Sequence, residues 1–328
     1  AVTGTLTEFD LSTVGNFGGT LLALGSITSD GGDGVDDLFV AITTMGEVII
    51  YQGSDPADSS WALVGVFHIG APVSRRGIAT FGSDLVVITE DGFIALTEIL
   101  PFGRTGQVPT LSDKINGAAT RAAQLYGSNE GWRVLMYPKN NMLIFNVPRS
   151  STGFDQYVMN TRTKAWAKFT RMNGKDWSLF ERDLYFGGGD GVVYKADSGT
   201  TDDGSAIIAD GRCAWNYLGD RSSVKRFTMA RPNFVAQYTP PLAIGLSTDF
   251  NPNVGFSGVN FSLPADVGVW DESVWNDAIW GFAYSTAADW LHVGGYGYNV
   301  SIRIRVTSED STPQWNSTTI AYEAGINY

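Results

Sequence analysis

A motif that occurs twice constrains the fold of this 328-residue chain more than any other feature. Phe81-Gly-Ser-Asp84-Leu85 is followed, after five residues, by Asp91-Gly92 and FIALTE. At an offset of 99 residues, Phe180-Glu-Arg-Asp183-Leu184 is followed at the same spacing by Asp190-Gly191 and VVYKAD. Two more strand-turn-strand segments keep the rhythm: DDLFVAITTMGEVIIYQG from Asp36 and RVLMYPKNNMLIFNVP from Arg133. The hairpin starts at Asp37, Asp84, Arg133 and Asp183 are 47, 49 and 50 residues apart. Strand-built repeats of roughly 40–50 residues mark propeller blades, small antiparallel sheets that bury their faces against their neighbours. WALVGVFHIG from Trp61 and QYVMNTRTKAWAKFT from Gln156 supply further blade strands, and Met142 to Asp197 reads as the most complete blade. The expectation is an all-β chain in which residues 1–204 form a β-propeller of at least four blade-like repeats of about 48 residues. Four blades are the usual minimum for a closed ring, so four hairpins are the least that suffice, and missing blades would mean missing sequence.

The glycines of GGGDG (Gly187 to Gly191) raise the question of a phosphate loop. Such a loop leads from a strand into a helix, whose free N–H groups meet the anion. VVYKAD is instead β-branched and aromatic, with no cap, so the element that follows is a strand and the glycines turn a hairpin. Gly92 and Gly191 are therefore expected at positive φ. Asp84, Asp91, Asp183 and Asp190 are expected to serve the turns by local hydrogen bonding. One helix interrupts the strands: Ser112 as cap, Ile115, Ala119, Ala122 and Tyr126 as its stripe, and Gly127 as its stop. Its narrow, alanine-rich face suits a connecting helix lying on the propeller.

After DSGTTDDGS the period is lost, although VKRFTMARPNFVA, LAIGLSTDF, YNVSIRIRVTS and TTIAYEAGI still alternate as strands do. SIRIRV alternates strictly, which predicts a sheet with one wet face. Residues 205–328 thus read as a β-sandwich-like C-terminal domain. Within it Trp270, Trp275 and Trp280 recur at five-residue steps, a spacing that puts them on one face of neither a helix nor a strand. Two readings stand: indoles that staple a long loop to the sheet, or a domain, subunit or sugar contact.

The chemistry that the residues exclude is as informative. A formal net charge of −12 argues against a duplex-wrapping surface. The basic clusters Arg75 with Arg76, and Arg221, Lys225, Arg226 and Arg231, read as solvated loops or interface ion pairs. No apolar run approaches the roughly 20 residues of a membrane span, and the N-terminus has no basic-then-apolar leader. The single cysteine, Cys213, excludes an intrachain disulfide framework and reads as a small buried hydrophobe. Two histidines, His68 and His292, are too few for a multi-histidine metal site, and His68 reads as a core residue. Neither a GxSxG elbow nor HExxH occurs. Asp30, Asp33, Asp36 and Asp37 in SDGGDGVDD lack the spacing and terminal glutamate of a helix-loop-helix calcium site, and read as a turn-rich loop. No catalytic residue, cofactor or metal site is expected. A glycosidase would need two carboxylates converging on one pocket.

Several segments taken together resemble a family of bacteriophage structural proteins. They are DGVDDLFVAITTMGEVIIYQGSDP, WALVGVFHIGAPVSRRGIATFGSDLVVITEDGFIAL, LSDKI, QYVMNTRTKAWAKF, LYFGG, DFN and WDESVWNDAIWG. The resemblance is to tail and head-to-tail components similar to the nozzle and DNA-stabilisation proteins of short-tailed phages. It implies a propeller platform in a virion ring, commonly hexameric, around the channel through which the genome leaves. Its implied partners are further copies of the chain, other tail, adaptor or portal proteins, and DNA that passes without specific binding. Members of the family are usually longer at the N-terminus and bring no catalytic residues to carry over. The rival expectation is a host-glycan-binding or glycan-cleaving propeller of a phage tail, suggested by ten tryptophans and many carboxylates.

Overall fold

The computed structural model describes residues 8–28, 37–53, 55–102, 109–236, 241–252, 255–259, 285–309 and 311–325. Among these residues the chain is all-β apart from one α-helix and short 3-10 turns, and it divides into two compact units, Ala1–Asp197 and Ser198–Tyr328. The division falls before the 204/205 boundary expected from sequence. Strand β15 (Thr201–Asp202) pairs with β16 (Ser205–Arg212), so that hairpin stays whole within the second unit.

The first unit holds four antiparallel meanders. The first is β1 (Leu21–Thr28), β2 (Asp37–Thr43), β3 (Glu47–Gln52) and β4 (Ala62–His68). The second is β5 (Ile78–Phe81), β6 (Asp84–Thr89) and β7 (Gly92–Ala95), after which comes helix α1 (Asn116–Tyr126). The third is β8 (Arg133–Tyr137), β9 (Met142–Pro148), β10 (Phe154–Asn160) and β11 (Trp166–Phe169). The fourth is β12 (Gly174–Phe180), β13 (Asp183–Gly188) and β14 (Val193–Ala196).

Period-two alternation divides each strand between two interfaces, which explains the nearly continuous apolar runs in the sequence. Leu38, Val40 and Ile42 of the first sheet share a core with Leu85, Val87 and Ile94 of the second. The second sheet's other face, Val86, Ile88 and Phe93, packs with Leu143, Phe145 and Val147 of the third and with Ala119 and Ala122 of α1. There Phe93 and Phe145 stack with ring centroids 4.1 Å apart. The third sheet's remaining face, with Tyr137, Ile144 and Val158, meets Trp177, Leu184 and Phe186 of the fourth. The sheets therefore stack face to face in chain order. In both copies of the motif the leucine of Asp-Leu looks back at the preceding sheet.

Several expectations change. The sheets have four, three, four and three strands, and Met142 to Asp197 is not one blade but parts of two sheets. The Arg133 hairpin supplies the first two strands of its sheet, whereas the other three hairpins each supply the second and third. Ser112 does not cap the helix: it is fully buried, and its Oγ accepts the N–H of Phe93 at 3.1 Å. α1 is not laid on the outside but contributes to the core between the second and third sheets. The two motif copies also differ in register. Thr89 pairs with Gly92 across a two-residue turn, whereas Gly188 N–H donates to Val192 C=O at 2.8 Å around three residues, Gly189 to Gly191. One extra residue in the turn moves every following side chain to the opposite face. Ile94 thus joins the core with Leu85 and Val87, while its sequence counterpart Val193 is 71% exposed.

In the second unit, β15, β16, β18 (Leu242–Thr248), β19 (Ser257–Val259) and β22 (Val300–Ser308) make one sheet. β17 (Lys225–Ala236) pairs with β20 (Ser285–Ala287), β21 (Leu291–Gly297) and β23 (Gln314–Ala324) in the other. Phe227 and Phe234 of β17 share a core with Leu242, Ile244, Ile302 and Ile304. SIRIRV behaves as its alternation demands: Ile302, Ile304 and Val306 are buried, while Arg303 and Arg305 face outward and both ion-pair with Asp210. Buried Lys225 donates to the carbonyls of Asp220, Ser223 and Tyr298, which removes it from any surface cluster.

Candidate functional site

The repeated aspartates hold local structure, each in its own way. Asp84 is buried: its Oδ1 accepts N–H groups from Leu85 at 2.7 Å and Thr97 at 3.0 Å, and its Oδ2 accepts the Thr97 hydroxyl at 2.5 Å. Asp183 lies between Lys139 Nζ at 2.7 Å and Lys195 Nζ at 2.5 Å, and these two ammonium groups hold its carboxyl at about 2. Asp190 accepts the Tyr194 hydroxyl at 2.6 Å and the Val192 N–H at 3.1 Å, which lower its pKa. Asp91 is exposed at its turn. Gly92 and Gly191 have φ of +135° and +83°. At Gly92 a Cβ would meet Ser112 Oγ at 2.6 Å, whereas at Gly191 it would meet nothing within 4 Å.

The other carboxylates with strong partners are committed to cations or hydroxyls. Asp155 is buried and pairs with Arg149 and Lys168, and Asp176 pairs with Arg76 and Arg133. Asp210 is lowered by Arg303 and then Arg305, and Asp220 by Ser223 and then Ser222. Among the described residues, each carboxylate whose acidity departs from the ordinary range moves downward, the reverse of what a general acid for sugar cleavage needs. Among the described residues no three His, Cys, Asp or Glu side chains form a metal-binding group. His68 is exposed against the Phe17 ring rather than in the core, because its strand ends at the sheet rim. Cys213 is exposed as well, contrary to the buried reading: it lies just beyond β16 and bonds to Ile302 through its backbone N–H. Trp270, Trp275, Trp280, Asp30, Asp33 and Asp36 lie outside the described residues. Among the described residues no helix is long and apolar enough to cross a membrane.

Two surfaces at the ends of the sheet series remain, and motif reading missed both. On the first sheet's outer face, Phe39, Tyr51 and Trp61 project toward Phe9, Leu11 and Val14 of the preceding segment. Tyr51 and Trp61 stack at 5.2 Å, and Phe9 meets Trp61 edge-on at 5.8 Å. Beside them lies a groove of about 450 Å³ lined by Phe9, Leu24, Phe39 and Trp61, with Asp37 at its margin. The indole N–H of Trp61 is buried without a hydrogen-bond partner among the described residues. At the other end, the fourth sheet's outer face presents Phe180, 65% exposed, with Tyr185 and Val193. Phe180 lies directly opposite Asp183 and its two lysines.

The ends also differ in charge. Residues 1–74 contain nine Asp and Glu and no Lys or Arg, whereas residues 131–196 contain ten Lys and Arg against five Asp and Glu. This asymmetry is legible in sequence once the chain is divided by sheet rather than summed. In the second expected basic cluster, Arg226 pairs with Glu323, Arg221 lies over the Tyr217 ring and Arg231 over the Trp290 ring.

No family model matches the chain, and no curated protein matches it. Among solved structures it is similar to a glycoside hydrolase family 43 arabinoxylan arabinofuranohydrolase from Bacillus subtilis, solved in complex with cellotetraose. The identity is 9%, over 92% of this chain and 79% of that one, and the TM-score of 0.22 is too low to argue from.

Proposed function

We propose that the chain is a non-enzymatic structural protein of a bacteriophage virion, a nozzle-like component of the tail or head-to-tail interface. In this reading the four serial sheets are blades of a β-propeller, the second unit is a β-sandwich, and copies of the chain form a ring around the DNA exit channel. The observation that carries the reading is the serial stack: sheets packed face to face inside the series, ending in a face on which Phe180 and Val193 stand exposed. Aromatic and aliphatic groups left at the end of such a stack favour assembly with another surface. The committed carboxylates and the phage-like segments support the same conclusion, and the acidic first region would repel rather than hold passing DNA.

Mass spectrometry and particle imaging of intact virions test the proposal. The expected result is the chain in several copies at the tail or portal-proximal ring; its absence from particles would overturn it. A second reading, glycan binding, is favoured by one observation, the aromatic groove of Phe9, Phe39 and Trp61. A glycan array that stays blank, with Trp fluorescence unchanged by polysaccharides, removes it.

A further inference from the structure

We propose that the second unit pairs with the second unit of another copy, edge to edge, along the side formed by β16 and β23. The inference is independent of the virion reading. Among the described residues, β23 pairs only with β17, and β16 pairs only with β22 once past Ala206. Residues 207–212 and β23 therefore each carry an unpaired row of backbone N–H and C=O groups, a template for another strand unless Pro, Lys or a bulge blunts it. The extra residue of β23, Asn316, sits near its start; beyond it, residues 317–324 pair consecutively with β17 and hold no Pro, Lys or Arg and a single acid, Glu323. On β16, Ile207 and Ile208 are 44% and 59% exposed, one on each face of the strand.

The two open edges lie on the same side of the sandwich: a Cβ on Gly211 of β16 would stand 3.3 Å from the Trp315 ring of β23. The opposite side is built differently. There β18 closes on β21, with Leu246 and Thr248 against Gly295 and Gly297, and β19 and β20 lead into and out of residues 260–284. The doubled edge selects the occupant. A single extended segment from another protein can pair with one edge at a time, whereas the same side of a second copy, turned about a two-fold axis normal to the sheets, meets both. β16 then pairs with β16 and β23 with β23, each antiparallel. Charge agrees with this, since pairing of β16 centred on Gly211 sets Asp210 of each copy against Arg212 of the other. Such a contact is isologous and stops at two copies.

The test is sedimentation velocity and backbone hydrogen exchange of the full chain over a concentration series. The variants are Ile208→Lys, Ser317→Lys and the two combined; circular dichroism checks their folding. Both positions are exposed, so a lysine there stays solvated in the monomer. The expected result is a wild type that passes from monomer to dimer as concentration rises, with exchange slowing in residues 207–212 and 317–324 as the dimer forms. Each lysine should raise the dissociation constant about tenfold, and the folded double variant should stay monomeric. A wild type that is monomeric at every concentration overturns the pairing. So does an assembly in which these two segments exchange as fast as in the monomer, or one that the folded double variant leaves intact. Should the double variant fail to fold, the single variants and the wild-type exchange rates decide between the same outcomes.

Discussion

The two three-stranded sheets, β5–β7 and β12–β14, carry the same motif, yet the first is dry on both faces and the second on only one. β6 and β7 are buried at every position, whereas β13 alternates between buried and half-buried residues and β14 opens to solvent at Val193 and Lys195. The same aspartate is internal in one copy, bonded to Thr97, and external in the other, between two lysines. The same glycine is jammed against Ser112 in one and faces open space in the other. The lesson is that a repeated sequence sets a repeated turn and strand start, while position in the series sets what each side chain contributes to stability.

Matched substitutions in the two copies put this contrast to the test, and the largest difference is expected at the residue after the glycine. Phe93→Ala should destabilise by about 3–5 kcal/mol, because it empties a fully buried site stacked on Phe145, whereas Val192→Ala, at a half-exposed position, should stay within about 0.5 kcal/mol. Urea unfolding of both variants reads the gap; equal losses would break the comparison. Gly92→Val should follow at about 3 kcal/mol or more, since a clash adds to the backbone strain, against about 1–2 kcal/mol for Gly191→Val, where only the left-handed backbone resists. Thermal melting of the pair is the measurement.

Asp84→Ala should cost about 1–3 kcal/mol by leaving the buried N–H of Leu85 and the Thr97 groups without their acceptor, again read by denaturant midpoint. Asp183→Asn gives the smallest effect and a pH signature. Its folded carboxyl, held at about 2 by Lys139 and then Lys195, lies below the ordinary 3.8, so its stabilisation is present above 3.8 and is lost as the pH falls through about 2. The melting temperatures of wild type and variant should therefore differ near neutrality and converge between pH 4 and pH 2. A difference that persists at pH 2 would show that the lysines do not act through this carboxylate.

Much of the first unit could be read from local pattern: the starts of β2, β6, β8 and β13, the positive φ of Gly92 and Gly191, and the two strands around NTRTK. Local pattern failed where a residue's partner is distant in the chain. Ser112 has the chemistry of a cap, but the Phe93 N–H competes for its hydroxyl. His68 sits in an apolar string yet emerges at a rim. Glu181 and Arg182 turn the β12–β13 hairpin at φ of +49° and +71°, where the first copy has Gly82 and Ser83, so glycine alone does not announce such turns. The groove escaped motif reading because Phe9, Phe39 and Trp61 converge from three separate segments.

By itself the sequence determined the all-β class, the turn chemistry and the period-two division of each strand into two faces, because these depend on backbone sterics and on neighbours a few residues away. Only the tertiary structure decided how the strands are shared among four sheets, which register the longer turn imposes, and which faces stay open. Those outcomes depend on packing between segments some 50–100 residues apart, where burial rather than local preference dominates the free energy.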